Sequence, residues 1–179
     1  MSAGGREGPD RPGAPNTPAV PGGPVAIARL GPIHHVGIVV ADLDVAIGQW
    51  RDLLGFRLER SIDQAADHVR LAIFATGAGR IELLAPTDTE TGVARFLASR
   101  GPGLHHVCFE VPDVAATLVA LGAAGVELID AAPRRGAEGP VAFLHPRSTG
   151  GTLVELIEAP GGPAWAGLGY EANGEHSEA

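Results

Sequence analysis

Ile33-His34-His35-Val36 and Leu104-His105-His106-Val107 are near copies of each other, 71 positions apart, and each opens an apolar stretch. Asp42 and Asp113 keep the same spacing. Glu82-Leu83-Leu84-Ala85-Pro86 is answered, at an offset of 73, by Glu155-Leu156-Ile157-Glu158-Ala159-Pro160. A chain that repeats itself in this way is two copies of one supersecondary unit. If each copy supplies one His and one Glu, two-fold pairing brings His35, Glu82, His106 and Glu155 to one place. Two imidazoles and two carboxylates suit a divalent transition metal. Four protein ligands leave two positions of an octahedral shell free, so Co²⁺, Mn²⁺ or Ni²⁺ fits at least as well as tetrahedral Zn²⁺.

Each of these residues has an ordinary reading as well. A histidine on an apolar strand is most often a hydrogen-bonded core residue. The symmetric pairing with two glutamates favours ligation here. Glu82 and Glu155 lie among Ile, Leu and Val, where an unpaired carboxylate is costly and a metal relieves the cost. Cys108 shares strand parity with His106, and a buried cysteine is usually a small hydrophobe.

The bulk composition narrows the function. At 179 residues the chain fits one domain, or two small fused halves sharing a core. A formal charge of −8 argues against a nucleic-acid partner. All 13 basic residues are arginine, which excludes Schiff-base lysine chemistry and a Walker-type phosphate loop. With Cys108 alone, no intramolecular disulfide forms and a cytoplasmic setting is expected. No apolar run is long enough for a membrane span.

The elements that must position the ligands follow from periodicity and caps. Residues 1–32 read as a disordered arm, half Pro and Gly over the first 24, and 160–179 as a flexible tail. The folded part is expected over 33–159, as modules 33–86 and 104–159. The first has a strand at 33–40 and a helix capped by Asp42, carrying Val45, Ile47, Trp50 and Leu54 and closed by Gly55. Strands follow at about 56–62, 68–75 and 80–85, the last two joined by a turn at Thr76-Gly77-Ala78-Gly79. The second has a strand at 104–111, a helix capped by Asp113, and strands near 126–129, 140–145 and 152–158. A short helix around Val93, Phe96 and Leu97 links them. The expected class is α+β: tandem βαβββ modules forming a cup-shaped mixed sheet around a central metal site.

These residues resemble the vicinal oxygen chelate superfamily and, within it, the methylmalonyl-CoA epimerase family. The superfamily likeness rests on the repeated His-Val strand and the glutamate of each last strand. The closer likeness rests on Gly103-Leu104-His105-His106-Val107 and on Phe143-Leu144-His145-Pro146-Arg147-Ser148-Thr149-Gly150-Gly151, followed by Leu153-Val154-Glu155-Leu156. It implies epimerisation of the 2R and 2S forms of methylmalonyl-CoA through an enolate stabilised by the metal. It also implies Glu155 as ligand and base, an acyl-CoA substrate, and a homodimer. Arg147, Ser148 and Thr149 in the signature loop are then the candidate substrate contacts, and Arg134 and Arg135 carry a balance similar to that of Arg147 between such a contact and a solvated charge. The second histidine of each pair is expected to point inward, with His34 and His105 on the opposite side of the sheet.

One position departs from the family pattern. A second catalytic glutamate found in some epimerases falls where this chain has Leu71, and a leucine transfers no protons. That leaves Glu82, a metal-bound water, or no group at all as the second donor. Rival readings are a glyoxalase I-like lyase acting on a thiol hemithioacetal and a non-catalytic small-molecule-binding member of the fold. An extradiol-type dioxygenase is disfavoured, because Glu82 fills a position that iron would need open.

Overall fold

The structure is a computed structural model and describes residues 30–158 except Ala78, together with Ala28. The tail expected over 160–179 and most of the arm expected over 1–32 lie outside the described residues.

The first repeat opens with β1 (Ile33–Val39), whose β-branched residues suit a half-buried pleated surface. Asp42 accepts from the backbone N–H groups of Asp44 and Val45 and starts α1 (Leu43–Gly48). A wide π-type turn, Gln49–Leu53, extends it, and Gly55 at φ 75° releases the chain. β2 (Arg57–Gln64), β3 (Val69–Ala75) and β4 (Arg80–Pro86) follow as an antiparallel meander. α2 (Gly92–Arg100), capped by Thr91, links the repeats. The second repeat runs β5 (Gly103–Val111), α3 (Val114–Ala123), β6 (Arg134–Arg135), β7 (Pro140–Leu144) and β8 (Leu153–Glu158). Asp113 caps α3 through the Ala116 N–H, as expected.

Three local expectations are corrected. The strand expected near 126–129 makes only a bridge from Leu128 to Leu144, and the paired edge is the two-residue β6. The Asp130 carboxylate takes the Phe143 N–H, which occupies the donor that a longer ladder would need. On α1 and the π-type turn that extends it, Leu43, Ala46, Ile47 and Trp50 face the sheet, while Val45 and the following Leu54 are exposed. Starting the helix at Asp42 puts positions 43, 46, 47 and 50 on one stripe, and 45 falls outside it. The arm boundary at 32 also moves back. Gly31 donates to the Glu110 carbonyl at 2.8 Å, Glu110 donates to that of Pro32 at 3.1 Å, and Ala28 packs near α3.

All eight strands join one mixed sheet in the order β2-β3-β4-β1-β5-β8-β7-β6. β1 and β5 run antiparallel at its centre, flanked by the parallel partners β4 and β8, so the repeats are related by a pseudo-two-fold. α1 covers Ala72, Phe74, Leu83 and Ala85 on the convex face, and α3 covers Val111, Ala142, Leu144 and Leu156. The concave face carries Val39, Val69, Leu71 and Leu84 in one half and Cys108, Val141 and Ile157 in the other. Its two edges are tied by Arg134 to Asp67 at 2.8 Å and by Arg60 to Glu138. The class is the expected α+β cup. Among the described residues no helix is long and apolar enough to cross a membrane.

Candidate metal centre

The register of the central strands explains why the four ligand candidates meet. Gly37 on β1 lies opposite Glu82 on β4 and His106 on β5. His35 lies opposite Cys108, which in turn pairs with Glu155 on β8. Gly37 and Cys108 are therefore equivalent positions, each between a histidine and a glutamate of opposite repeats. A Cβ built at Gly37 would overlap the His106 ring, so the missing side chain is the space that the imidazole occupies. The sequence reading passed over Gly37; a lone glycine inside a β-branched strand is the signal for such a close approach.

His35 Nε2 and His106 Nε2 are 3.0 Å apart, and each is 3.1 Å from Glu155 Oε2. Glu82 Oε2 lies 3.6 and 3.7 Å from the same two nitrogens. All four residues are buried. Bonds of about 2.1 Å at right angles put neighbouring donors about 3.0 Å apart, whereas a tetrahedron of the same bond length separates them by about 3.4 Å. The three shortest spacings thus fit edges of an octahedron, with Glu82 slightly outside. His35, His106 and Glu155 form a group able to hold a metal ion.

Electrostatics point the same way. Burial raises the Glu82 carboxyl above its ordinary pKa, against the pull of His35 and His106. Burial presses Glu155 in that direction too, but hydrogen bonds from His106 and His35 outweigh it and hold this carboxyl well below its usual range. For His35, burial lowers the pKa, yet the Glu155 hydrogen bond and the charges of Glu82 and Glu155 leave it raised overall. Burial, then the Glu155 and Glu82 charges, push the Cys108 thiol far up, so it stays protonated. Two buried carboxylates without a compensating cation are expensive, which is the condition a divalent ion corrects.

His34 and His105 are not on the far side of the sheet. The β1–β5 ladder gains one residue on β1 at His34 and one on β5 at His105, a bulge at each. A bulge sets two residues of one strand against one of its partner and re-aims their side chains. His34 Nδ1 consequently meets His35 Nδ1 at 2.9 Å, and His105 Nδ1 meets His106 Nδ1 at 2.9 Å. Burial first, then the neighbouring His35 or His106, lowers both to about 4.

The site opens into a cavity of about 580 Å³ whose walls include Leu71, Leu84, Phe96, His105, Phe143 and Leu153. Cys108 lies beneath it, fully buried against Val141 and Ile157. Arg147, Ser148 and Thr149 are not among the lining residues, although Pro146 and Gly151 of the same loop are. Ser148 Oγ accepts from the Glu127 N–H at 2.8 Å, and the Thr149 hydroxyl donates within the loop, to Thr152 among others. Arg147 is exposed and pairs with Glu127 at 3.4 Å. The arginines that do line the cavity are Arg95, Arg100 and Arg134. Arg135 is absent from it. Arg134 is held by Asp67 and lies over the Phe143 ring at 5.0 Å.

A curled eight-stranded sheet of two βαβββ repeats, with His and Glu from each repeat meeting at its centre, defines a class. The chain belongs to the Glyoxalase/Bleomycin resistance protein/Dioxygenase superfamily, whose family model matches residues 34–143. Among its relatives, the ethylmalonyl-CoA/methylmalonyl-CoA epimerase of Cereibacter sphaeroides is 40% identical over 131 residues, 71% of this chain and 97% of that protein. The crystal structure of methylmalonyl-CoA epimerase from Mycobacterium tuberculosis is 37% identical, with a TM-score of 0.70 and coverage of 80% of this chain and 97% of that one. A variant of Streptomyces coelicolor methylmalonyl-CoA epimerase in complex with 2-nitronate-propionyl-CoA is 32% identical. Its TM-score is 0.71, with 76% and 99% of the two chains covered.

Proposed function

We propose that this chain is a methylmalonyl-CoA epimerase, an isomerase that interconverts the 2R and 2S thioesters by removing the proton of the α-carbon between thioester and carboxylate and returning one to its opposite face. The observation that carries this reading is the convergence of two imidazoles and two buried carboxylates at the base of a cavity. Its relatives named as such epimerases support it.

His35, Glu82, His106 and Glu155 are assigned as ligands of one divalent cation. Two imidazoles and two carboxylates suit Co²⁺, Mn²⁺, Ni²⁺ or Zn²⁺. When bound, the cation supplies Lewis-acid stabilisation of the negative charge that builds on the thioester oxygen as the C–H bond breaks. Glu155 is assigned as the base. In the metal-free fold its carboxylate is kept ionised by hydrogen bonds from the two imidazoles, and a bound cation would take over that role. The reacting carbon has to lie within ~3 Å of that oxygen. Val69, Leu71 and Leu84 line the cavity with side chains that move no proton. Arg95 and Arg100 on α2, with Arg147 outside the cavity, are assigned to the phosphates of the acyl-CoA. A homodimer in the cytoplasm completes the reading.

The test is incubation of the metal-loaded protein with methylmalonyl-CoA in D₂O, followed by NMR. Deuterium at the α-carbon is the expected result. Failure to incorporate it, with turnover of methylglyoxal and glutathione instead, would replace this function with the glyoxalase one.

A further inference from the structure

Glu82 and Leu84 are two residues apart on β4 and both line the cavity, so Leu84 stands about 7 Å along the strand from Glu82. Leu71 is its register partner on β3. Ile157 holds the place of Leu84 in the second repeat, yet it packs against Cys108 and Val141 and is not among the lining residues. On that side the Phe143 ring stands edge-on to His106, centroids 5.7 Å apart, under the Arg134 guanidinium. The apolar wall that β3 and β4 build beside Glu82 is therefore not matched in the second repeat.

A roof for this wall comes from the opposite half of the cup. The turn between β6 and β7 carries Ala137 onto Val69, Leu71 and Leu84, and Gly136 and Ala137 both line the cavity. The Gly136 N–H donates to the Gly139 carbonyl at 2.8 Å, and a Cβ at Gly136 would lie 2.7 Å from Val141 Cγ1. That close approach fixes the shape of the turn. Its reach depends on Glu138, whose side chain is 8% exposed and pairs with Arg60 on β2. β6 has only two register pairs with β7, where β2 has seven with β3. The turn thus relies on Glu138 with Arg60, and on Arg134 with Asp67, to stay across the cup.

We propose that Ala137 sets the size of the α-substituent that the site accepts, and that Glu138, through Arg60, is the positioning residue that holds it there. The proposal rests on the function assigned above. The α-carbon of a malonyl thioester carries two polar arms and one alkyl group. The polar arms belong with the His and Glu donors at the centre, and the alkyl group belongs on the apolar wall beside them. Between Leu71, Leu84 and Ala137, the smallest of the three side chains limits the depth. Ala137 is not at positive φ, so its backbone accepts a larger residue, whose added volume is taken from the pocket. Short 2-alkylmalonyl thioesters, methyl and ethyl, are then the class the site takes.

Methylmalonyl-CoA and ethylmalonyl-CoA offered together to the metal-loaded, full-length protein in D₂O test this. Mass spectrometry of α-deuterium in each gives the ratio of their kcat/KM values. Ala137→Val is expected to lower the ethyl-to-methyl ratio about tenfold, the discrimination that one methylene carries in an apolar pocket. Ala137→Gly is expected to raise the ratio, and so is Glu138→Gln, which releases the turn. A purely structural role would slow both thioesters alike and leave the ratio where it was. Ratios equal to wild type in the Ala137 variants overturn the proposal, and an unchanged ratio in Glu138→Gln removes the positioning role. If Ala137→Val fails to fold, Ala137→Gly decides. Wild-type protein that deuterates neither thioester overturns the assigned function, and this proposal with it.

Discussion

Glu82 and Glu155 hold equivalent places in the two repeats, yet their surroundings push them in opposite directions. Burial dominates at Glu82 and raises its pKa above the unfolded value of 4.5, so the metal-free fold loses stability as pH rises from 4.5 through the folded value. Glu155, held low by two imidazoles, stabilises above pH 4.5 and loses that contribution as the pH falls further. Glu82→Gln should therefore raise the melting temperature of metal-free protein at pH 7 by a few degrees, roughly 1 kcal/mol. The gain should vanish below pH 4.5, where Glu82 is protonated in both states. The same variant should bind metal more weakly. Calorimetry with and without metal separates the two effects; a lower melting temperature in the metal-free state would contradict the burial argument. His106→Ala should lose the metal altogether, and full occupancy by elemental analysis would refute its role as a ligand. Leu71 bears on stereochemistry. If Glu155 works without a second acid, deuterium wash-in outpaces loss of chirality, and Leu71→Glu speeds inversion. Wild-type inversion that keeps pace with wash-in would mean that another donor acts.

At the scale of elements, the central pair β1–β5 does most of the positioning. Its two bulges turn His34 and His105 onto the backs of His35 and His106, and Gly37 clears the space that His106 fills. Gly37→Ala should displace that ring. Metal affinity is expected to fall by about tenfold or more, alongside a loss of roughly 1–3 kcal/mol of stability from overpacking. Titration calorimetry and thermal melts read the two separately, and an unchanged metal affinity would remove Gly37 from the account. The helices contribute differently. α1 and α3 bury the convex face, while α2 supplies Phe96, Arg95 and Arg100 to the cavity wall.

The whole molecule buries its central His and Glu residues by curling one sheet until its edges meet, through Arg134 with Asp67 and Arg60 with Glu138. The segment before β1 adds to this, since Gly31 and Pro32 pair with Glu110. A chain beginning at Val25 should keep the full-length melting temperature, and one beginning at Ile33 should lose a few degrees, about 1–2 kcal/mol for the two backbone hydrogen bonds. Equal melting temperatures for the two would show the contact to be idle. Ile33 and Leu104, equivalent in the two repeats, are 48% and 72% exposed, a symmetric apolar pair that a dimer would cover. Light scattering that reports a stable monomer at assay concentration would set the homodimer aside.

The repeat by itself determined the architecture, because a duplicated His-strand and Glu-strand can share one centre only through two-fold pairing. It also named His35, Glu82, His106 and Glu155, and the caps at Asp42 and Asp113, since a cap depends on neighbours in sequence. The aim of His34 and His105 was decided only in the folded sheet. Strand parity assigns alternating faces, and a bulge, which exists only between two strands, breaks that alternation. The signature loop shows the same division. Its resemblance marks Arg147, Ser148 and Thr149, but the fold turns the Ser148 hydroxyl to the Glu127 N–H and the Thr149 hydroxyl into the loop, and brings α2 to the cavity. Contacts such as Arg80 with His34, 46 positions apart, have no trace in local pattern. They arise because β1 and β4 are neighbours in the sheet, and that neighbourhood is a property of the tertiary structure alone.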